Sequence, residues 1–432
     1  MTTTSSRGDG PPPEGVAWAG APPGSALSRA EAGRVLHAAL EDRVQGERVL
    51  VLVPDRTRDV AMAELFPAVL AAMHRARSVE VMVALGTHPP MDEHDIAAML
   101  GLDAGAPLPA RVTGLRNHSW REPGALAQIG TVAAERIRQI AGPTWHPSLG
   151  GDLVVRANRQ AVEVDRVVVV GPVLPHEVAG FSGGTKYVFP GISGPEMIDV
   201  MHWLGALSGV LATIGVRDTP VRALIEEAAS MLPVPVTLVA VATEQGRTAG
   251  LYAGEPRAAW EACVGHAARL HVEQVEHPYD NVISCPMPIY DELWTAGKAM
   301  YKLEPVVADG GRLVIYAPHL SQVSVTHGTD IFRVGYHPLA YFVGQWDRFE
   351  AEPLAVLAHS SHVKGAGTYD AASGRESPRI DVALATGISE EDCRRLNLSY
   401  VDPASVDLAT AALDGSTLVV RRSGETLYGV RS

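Results

Sequence analysis

The chain has 432 residues, 46% of them hydrophobic and 20% charged, with a formal net charge of −13. That length predicts two domains rather than one core, and the composition is that of an ordinary globular protein. The acidic balance and scattered lysines and arginines exclude nucleic acid and anionic membrane as expected partners, and no apolar run reaches the roughly 18 residues of a membrane span.

The first stretch, Met1-Thr-Thr-Thr-Ser-Ser onward through Pro11-Pro-Pro13, is rich in Gly, Pro and Ser and lacks the apolar core of a signal peptide. It predicts a disordered tail over residues 1–25 and a cytoplasmic protein. Cys263, Cys285 and Cys393 lie far apart with no CxxC pairing, so neither a disulfide framework nor a structural zinc is expected. There is no internal repeat and no heptad array.

Arg48-Val-Leu-Val-Leu-Val53 predicts a buried strand, followed by Asp55-Arg-Thr-Arg58 and a helix over 61–77. A second strand over 78–85 ends in Gly86-Thr-His88-Pro-Pro90, before a helix with Asp92 and Glu93 in its first turn. A third, Val164 to Val170, leads into His176 and the glycine-rich Gly180-Phe-Ser-Gly-Gly-Thr-Lys186. Continuous apolar strands alternating with helices argue for a parallel sheet covered on both faces. In such folds the carboxyl ends of the strands gather round one crevice, so Asp55, Arg58, His88, His176 and Lys186 are expected to meet.

The glycine-rich segment is not a P-loop, because GxxxxGK[ST] needs Gly before the lysine and Ser or Thr after it. Thr185 and Tyr187 stand there instead. Its glycines could still cradle a phosphate through backbone N–H groups. Ser193-Gly-Pro-Glu196 reads as a capping box opening a helix that carries His202. The pattern restarts at a strand over 280–285, a helix over 291–302 bearing Lys298, and a strand over 311–317. The expected organisation is a cofactor-binding α/β domain over 26–275, a smaller α/β domain over 276–400, and a segment 401–432 returning to the first domain. Each domain should be a largely parallel sheet flanked by helices, with the active site in the crevice between them.

Together, Asp55-Arg-Thr-Arg58, Gly86-Thr-His88, His176 with Gly-Phe-Ser-Gly-Gly, Lys186, Phe-Pro-Gly-Ile, His202, Lys298 and Ala385-Thr-Gly-Ile-Ser-Glu-Glu-Asp-Cys-Arg-Arg-Leu-Asn-Leu-Ser-Tyr-Val-Asp-Pro403 resemble the nickel-dependent lactate racemase family. The resemblance runs from about residue 45 to 403, with the motifs in family order. It implies a nickel pincer nucleotide, a Ni(II)-pyridinium-3,5-bisthiocarboxylate mononucleotide, tethered covalently to Lys186 and ligated by His202. Sulfur, carbon, sulfur and imidazole nitrogen suit square-planar Ni(II).

The same resemblance implies His88 and His176 as the acid/base pair of a racemase or epimerase that inverts C2 of a 2-hydroxy acid by hydride transfer. It makes Asp55, Arg58, Ser182, Gly183 and Gly184 cofactor contacts, with Asp55 either holding Arg58 or touching the cofactor. Arg58, Thr295 and Lys298 become substrate contacts, and cofactor-biosynthesis and insertion enzymes become partners. Where the family's lactate enzymes carry a tyrosine-glutamine pair, this chain has Trp294-Thr295, and Pro89-Pro90 stand where an arginine is common. These differences predict a substrate larger than lactate, an aldonic sugar acid or an aryl hydroxy acid. Two other readings stay open, a cofactor-binding protein without racemase activity and a metal-dependent hydrolase using the histidines as ligands.

Overall fold

A computed structural model describes residues 12–431 apart from 87 and 104. The strands are β1 (Ala17–Gly20), β2 (Arg48–Val53), β3 (Ser78–Val83), β4 (Val112–Asn117), β5 (Arg166–Pro172), β6 (Val236–Glu244) and β7 (Arg247–Gly254), followed by β8 (Tyr279–Pro286), β9 (Val307–Ala317), β10 (Asp381–Thr386), β11 (Ser399–Tyr400) and β12 (Thr417–Ser423). The first seven form one sheet in the order β1-β7-β6-β5-β2-β3-β4, and the last five form a second in the order β11-β10-β9-β8-β12.

From β6 through β4 the first sheet is parallel. It is β2 that explains why: Val49, Val51 and Val53 pack into the core on one face, while Leu50 and Leu52 pack into the core on the other. A strand buried on both faces needs helices on both sides. Helices α1 (Arg29–Leu40) and α2 (Met62–Ala72) supply one layer, through Leu36 and Phe66. Helices α3 (Pro195–Ser208), α4 (Pro220–Ala229) and α5 (Pro256–His271) supply the other, through Met201, Leu224 and Trp260. From β2 the chain winds outward to β3 and β4, then crosses back to β5 on the other side. The reversal between β2 and β5 is a topological switch point, where such sheets open a crevice.

The second sheet is wholly parallel. Its core is continuous with that of the first half, since Leu313 and Ile315 belong to the same buried cluster as Leu50 and Val167. Two sheets therefore share one apolar interior. Among the described residues no helix is long and apolar enough to cross a membrane. All three cysteines are free thiols.

Four local expectations need correction. The tail over 1–25 is ordered in part, because Ala17–Gly20 pairs antiparallel with β7; residues 1–11 lie outside the described residues. The segment 401–432 does not simply return to the first domain: Thr417–Ser423 is an edge strand of the second sheet, and Leu427–Val430 pairs with Val272–Val275 at the seam. No capping box opens α3, whose N-cap is Gly194 with no side-chain cap. Glu196 pairs instead with Arg156, and Ser193 Oγ donates to backbone carbonyls. The helix over 291–302 is two short turns, Leu293–Ala296 and Lys298–Tyr301, meeting at Gly297. A Cβ there would stand 2.9 Å from Val363 Cγ2, so the glycine admits close approach of helix α6 (Leu354–Lys364).

Candidate active site

Beyond the carboxyl ends of β2, β3 and β5, roofed by the second half, lies a narrow cleft. Asp55, Arg58, His88, His176, Ser182, Gly183, Lys186, His202, Thr295 and Lys298 all line it. Of the expected site residues only Gly184 does not; a Cβ there would meet Trp260 Cδ1 at 3.0 Å, so this glycine serves packing.

Asp55 follows β2 directly. One carboxylate oxygen accepts from Thr57 N–H at 2.8 Å and Thr57 Oγ1 at 2.6 Å. The other accepts a short hydrogen bond from His88 Nδ1. Burial alone would raise this carboxyl, but His88 beside it and the donors around it hold it far below the usual carboxylate range. An ionised carboxylate only accepts, so His88 carries a proton on Nδ1, and in the neutral form of the ring Nε2 is the lone pair. The partner of Asp55 is therefore His88 rather than Arg58.

His176 is arranged the other way round. Its Nδ1 accepts from Val178 N–H at 3.1 Å, which places the proton of the neutral ring on Nε2. Burial, with Lys186 and Arg58 near, holds its pKa well below the ordinary value. The Glu177 carboxylate lies 3.5 Å from the same Nδ1, but a neutral ring whose Nδ1 is already accepting makes no ion pair there. The cleft thus holds one imidazole poised to accept a proton and one showing an N–H.

Lys186 sits in the short helical turn after Gly183 and Gly184, whose φ values of 78° and 65° belong to the left-handed region. A Cβ on Gly183 would fall 2.7 Å from Val173 Cγ2. Ser182 Oγ accepts from Leu174 N–H at 3.0 Å, so its hydroxyl is committed to the loop itself. The carbonyls are held from below by Arg222, which donates to Phe181 O at 2.5 Å and Gly183 O at 3.3 Å and stacks on the Trp260 ring at 4.0 Å. Trp260 Nε1 donates to Ser182 O at 2.8 Å.

Arg222 is 1% exposed, and replacing it with methionine strands two buried carbonyls. Arg222→Met should cost about 2–4 kcal/mol, read by denaturant unfolding; a loss under about 1 kcal/mol would remove Arg222 as the loop's anchor.

Burial, then Arg58, lowers the Lys186 pKa to about 7. A lowered pKa makes the nucleophilic free amine abundant from neutral pH upward. In cofactor-free protein, labelling of Lys186 by an amine-reactive anhydride should reach half its maximal rate near pH 7, whereas surface lysines need about pH 10.4. Peptide mass spectrometry across pH reads this directly, and co-titration with the surface lysines would contradict it.

His202, in the third turn of α3, donates from Nδ1 to Ile198 O at 2.6 Å. That leaves Nε2 as the coordinating atom, the orientation metal-ligating histidines take. Burial lowers its pKa to about 4, so the ring is neutral at working pH. Among the described residues no group of three or more His, Cys, Asp or Glu could hold a metal ion. A metal at His202 needs its other donors from a cofactor.

From the second half, Thr295 Oγ1 donates to Glu292 O at 3.1 Å. The Lys298 amine is buried over the Tyr290 ring at 4.8 Å with no hydrogen-bond partner. Burial, then Arg58, holds its pKa well below the ordinary value. Sequence reasoning missed Glu177, Tyr187, Tyr301, His359 and His362, all of which line the cleft. The signal for the last two was present, since His359-Ser-Ser-His362 puts two histidines one turn apart. Every residue of α6 from Ala355 to Lys364 is buried, a place where histidines need a reason.

A crevice at the switch point of a parallel sheet thus gathers a buried lysine of lowered pKa, a histidine with a free Nε2 and two further imidazoles in one α/β protein. The lactate racemase N-terminal domain matches residues 25–140 and 147–213. The chain is 26% identical over 288 residues to a lactate racemase of Thermoanaerobacterium thermosaccharolyticum and 24% over 287 residues to one of Lactiplantibacillus plantarum. Each match covers 64% of this chain and 62% of the relative, so under two thirds of the relatives' length is spanned.

Among solved structures, a Thermotoga maritima protein superposes with a TM-score of 0.87 at 29% identity, over 94% of this chain and 99% of that one. The lactate racemase apoprotein from T. thermosaccharolyticum shares the fold, with a TM-score of 0.69 at 20% identity over 93% of both chains. The chain is thus similar to lactate racemases, through their N-terminal domain and over 64% of its length.

Proposed function

We propose that this protein is a racemase or epimerase inverting C2 of a 2-hydroxy acid, and that Lys186 and His202 hold a nickel pincer nucleotide in the cleft. The observation that carries the reading is the convergence of four differently prepared groups on one crevice: an amine with its pKa lowered to about 7, an imidazole with free Nε2, and the two opposed histidines. The residues fit the group, because Lys186 would supply the amine for an amide-type link and His202 Nε2 would supply the protein's donor to the metal. When bound, the cofactor supplies a reversible hydride acceptor for the C2 hydrogen.

Arg58 is the cleft's permanent cation and suits the substrate carboxylate. His88 takes the hydroxyl proton at Nε2, and Asp55 stabilises the imidazolium that forms. His176 offers its Nε2–H to the same oxygen from the far side of β2. For His176 to act as the base in the reverse direction, its ring must turn so that Nδ1 leaves Val178 N–H.

A passive cofactor carrier has no use for a histidine oriented by a buried aspartate, and a hydrolase built on protein ligands alone needs a ligand cluster that the described residues do not form. The deciding experiment uses protein co-expressed with cofactor-making enzymes. Elemental analysis should find nickel, intact mass a Lys186 adduct, and chiral chromatography inversion at C2 of a 2-hydroxy acid, with no deuterium taken up at C2 in D2O because the hydrogen returns as hydride. Zinc without an adduct, or an adduct with no inversion of any 2-hydroxy acid, overturns the reading.

A further inference from the structure

We infer that the second-half wall of the cleft, His362 and Lys298 with Glu177 and Tyr301, is a subsite for the hydroxyl-bearing tail of the substrate, which makes the substrate an aldonic acid rather than lactate or an aryl hydroxy acid. This rests on the racemase reading and narrows it. His362 is 4% exposed and Lys298 8% exposed, yet neither His362 Nε2 nor Lys298 Nζ has a hydrogen-bond partner. Both residues line the cleft.

Buried polar atoms are almost always paired, so two orphans on one wall mark where a ligand's polar atoms belong. The metal ligand, the tether and both catalytic histidines all come from the first half, which leaves this wall to the part of the substrate beyond C2.

The chemistry of the wall selects among the candidates. Its floor is aromatic, with Trp294 packed between His327 at 4.4 Å and His359 at 4.1 Å, while Tyr301 meets His362 edge-on at 6.3 Å. His359 Nε2 already has the Tyr336 hydroxyl at 3.3 Å, so His362 is the free one of the pair.

An aryl tail would cover the aromatic faces but leave both orphans unpaired, and the methyl of lactate offers them nothing. A second carboxylate would meet the Glu177 carboxylate, which is held below its ordinary pKa, beside His362, whose pKa burial lowers to about 4. Hydroxyl groups both donate and accept, and so match a carboxylate acceptor, a neutral imidazole and an amine at once.

The test uses the nickel-loaded enzyme and the rate of C2 inversion, read by chiral chromatography, with D-gluconate, lactate and mandelate. The parent should show a kcat/KM for gluconate about tenfold or more above that for either other acid. His362→Phe should lower the gluconate-to-lactate preference about tenfold, chiefly through KM. His362→Gln, which keeps a donor and an acceptor, should recover most of it, and it also guards against a Phe variant that fails to fold.

Calorimetric titration of gluconate into the loaded protein should weaken in step with KM. A parent that prefers lactate or mandelate, or a Phe variant that leaves the preference unchanged, overturns the subsite while leaving the racemase reading intact. Loaded protein that inverts none of the three acids overturns the subsite, and it takes the racemase reading with it only if other 2-hydroxy acids also fail.

Discussion

Lys186→Met should abolish C2 inversion and the mass adduct together while leaving the fold intact. The side chain is buried at the end of the glycine-rich turn, and its amine is lowered to about 7 by burial and by Arg58. Methionine nearly matches lysine in length and replaces a buried amine of lowered pKa with an apolar thioether. The change should alter stability by less than about 1.5 kcal/mol. Inversion, by contrast, should fall to the uncatalysed background, because no other lysine can take the tether's place: Lys298 projects from the opposite wall and Lys302 is committed to Glu425 O at 2.8 Å. Intact mass, nickel content and the denaturation midpoint together check this. Inversion within about tenfold of the parent would show that the amine is not the attachment point.

Asp55→Asn should lower the rate of C2 inversion by about 10²–10⁴-fold without loss of nickel or adduct. Asparagine has a single acceptor oxygen, and Thr57 N–H and Oγ1 already converge on that position at 2.8 and 2.6 Å. The amide NH2 must then face His88 Nδ1, which forces the proton of the imidazole onto Nε2 and turns a proton acceptor into a donor. Nitrogen-15 shifts of His88 should report the tautomer change, a readout that a merely structural aspartate would not move. An unchanged tautomer with lost activity would assign Asp55 to scaffolding. An unchanged rate would remove His88 as the base. His202 and Lys186 lie outside the altered hydrogen bonds, so cofactor loading serves as the internal control.

Much of this site could be read from the chain alone because its chemistry sits at strand ends. Val49 to Val53 reads as a buried parallel strand from its unbroken apolar run, and the polar motif following it must emerge at the sheet's carboxyl edge. The same holds for His88 after β3 and His176 after β5. That reasoning could not tell what each group touches. Asp55 has two acceptor atoms and an arginine three residues on, yet its geometry gives it to Thr57 and His88. Gly183 and Gly184 look alike in sequence, but only the first lines the cleft.

What the sequence determined by itself is the parallel-sheet architecture and the set of groups at its crevice, since both follow from local periodicity and from which residue types come next along the chain. The tertiary structure alone decided the tautomers of His88 and His176, the lowered pKa of Lys186 and the His362 wall. Each of these depends on desolvation and on partners far away in sequence, Asp55 against His88, Arg58 against Lys186, α6 against the first half, and no local pattern encodes a distance across the fold.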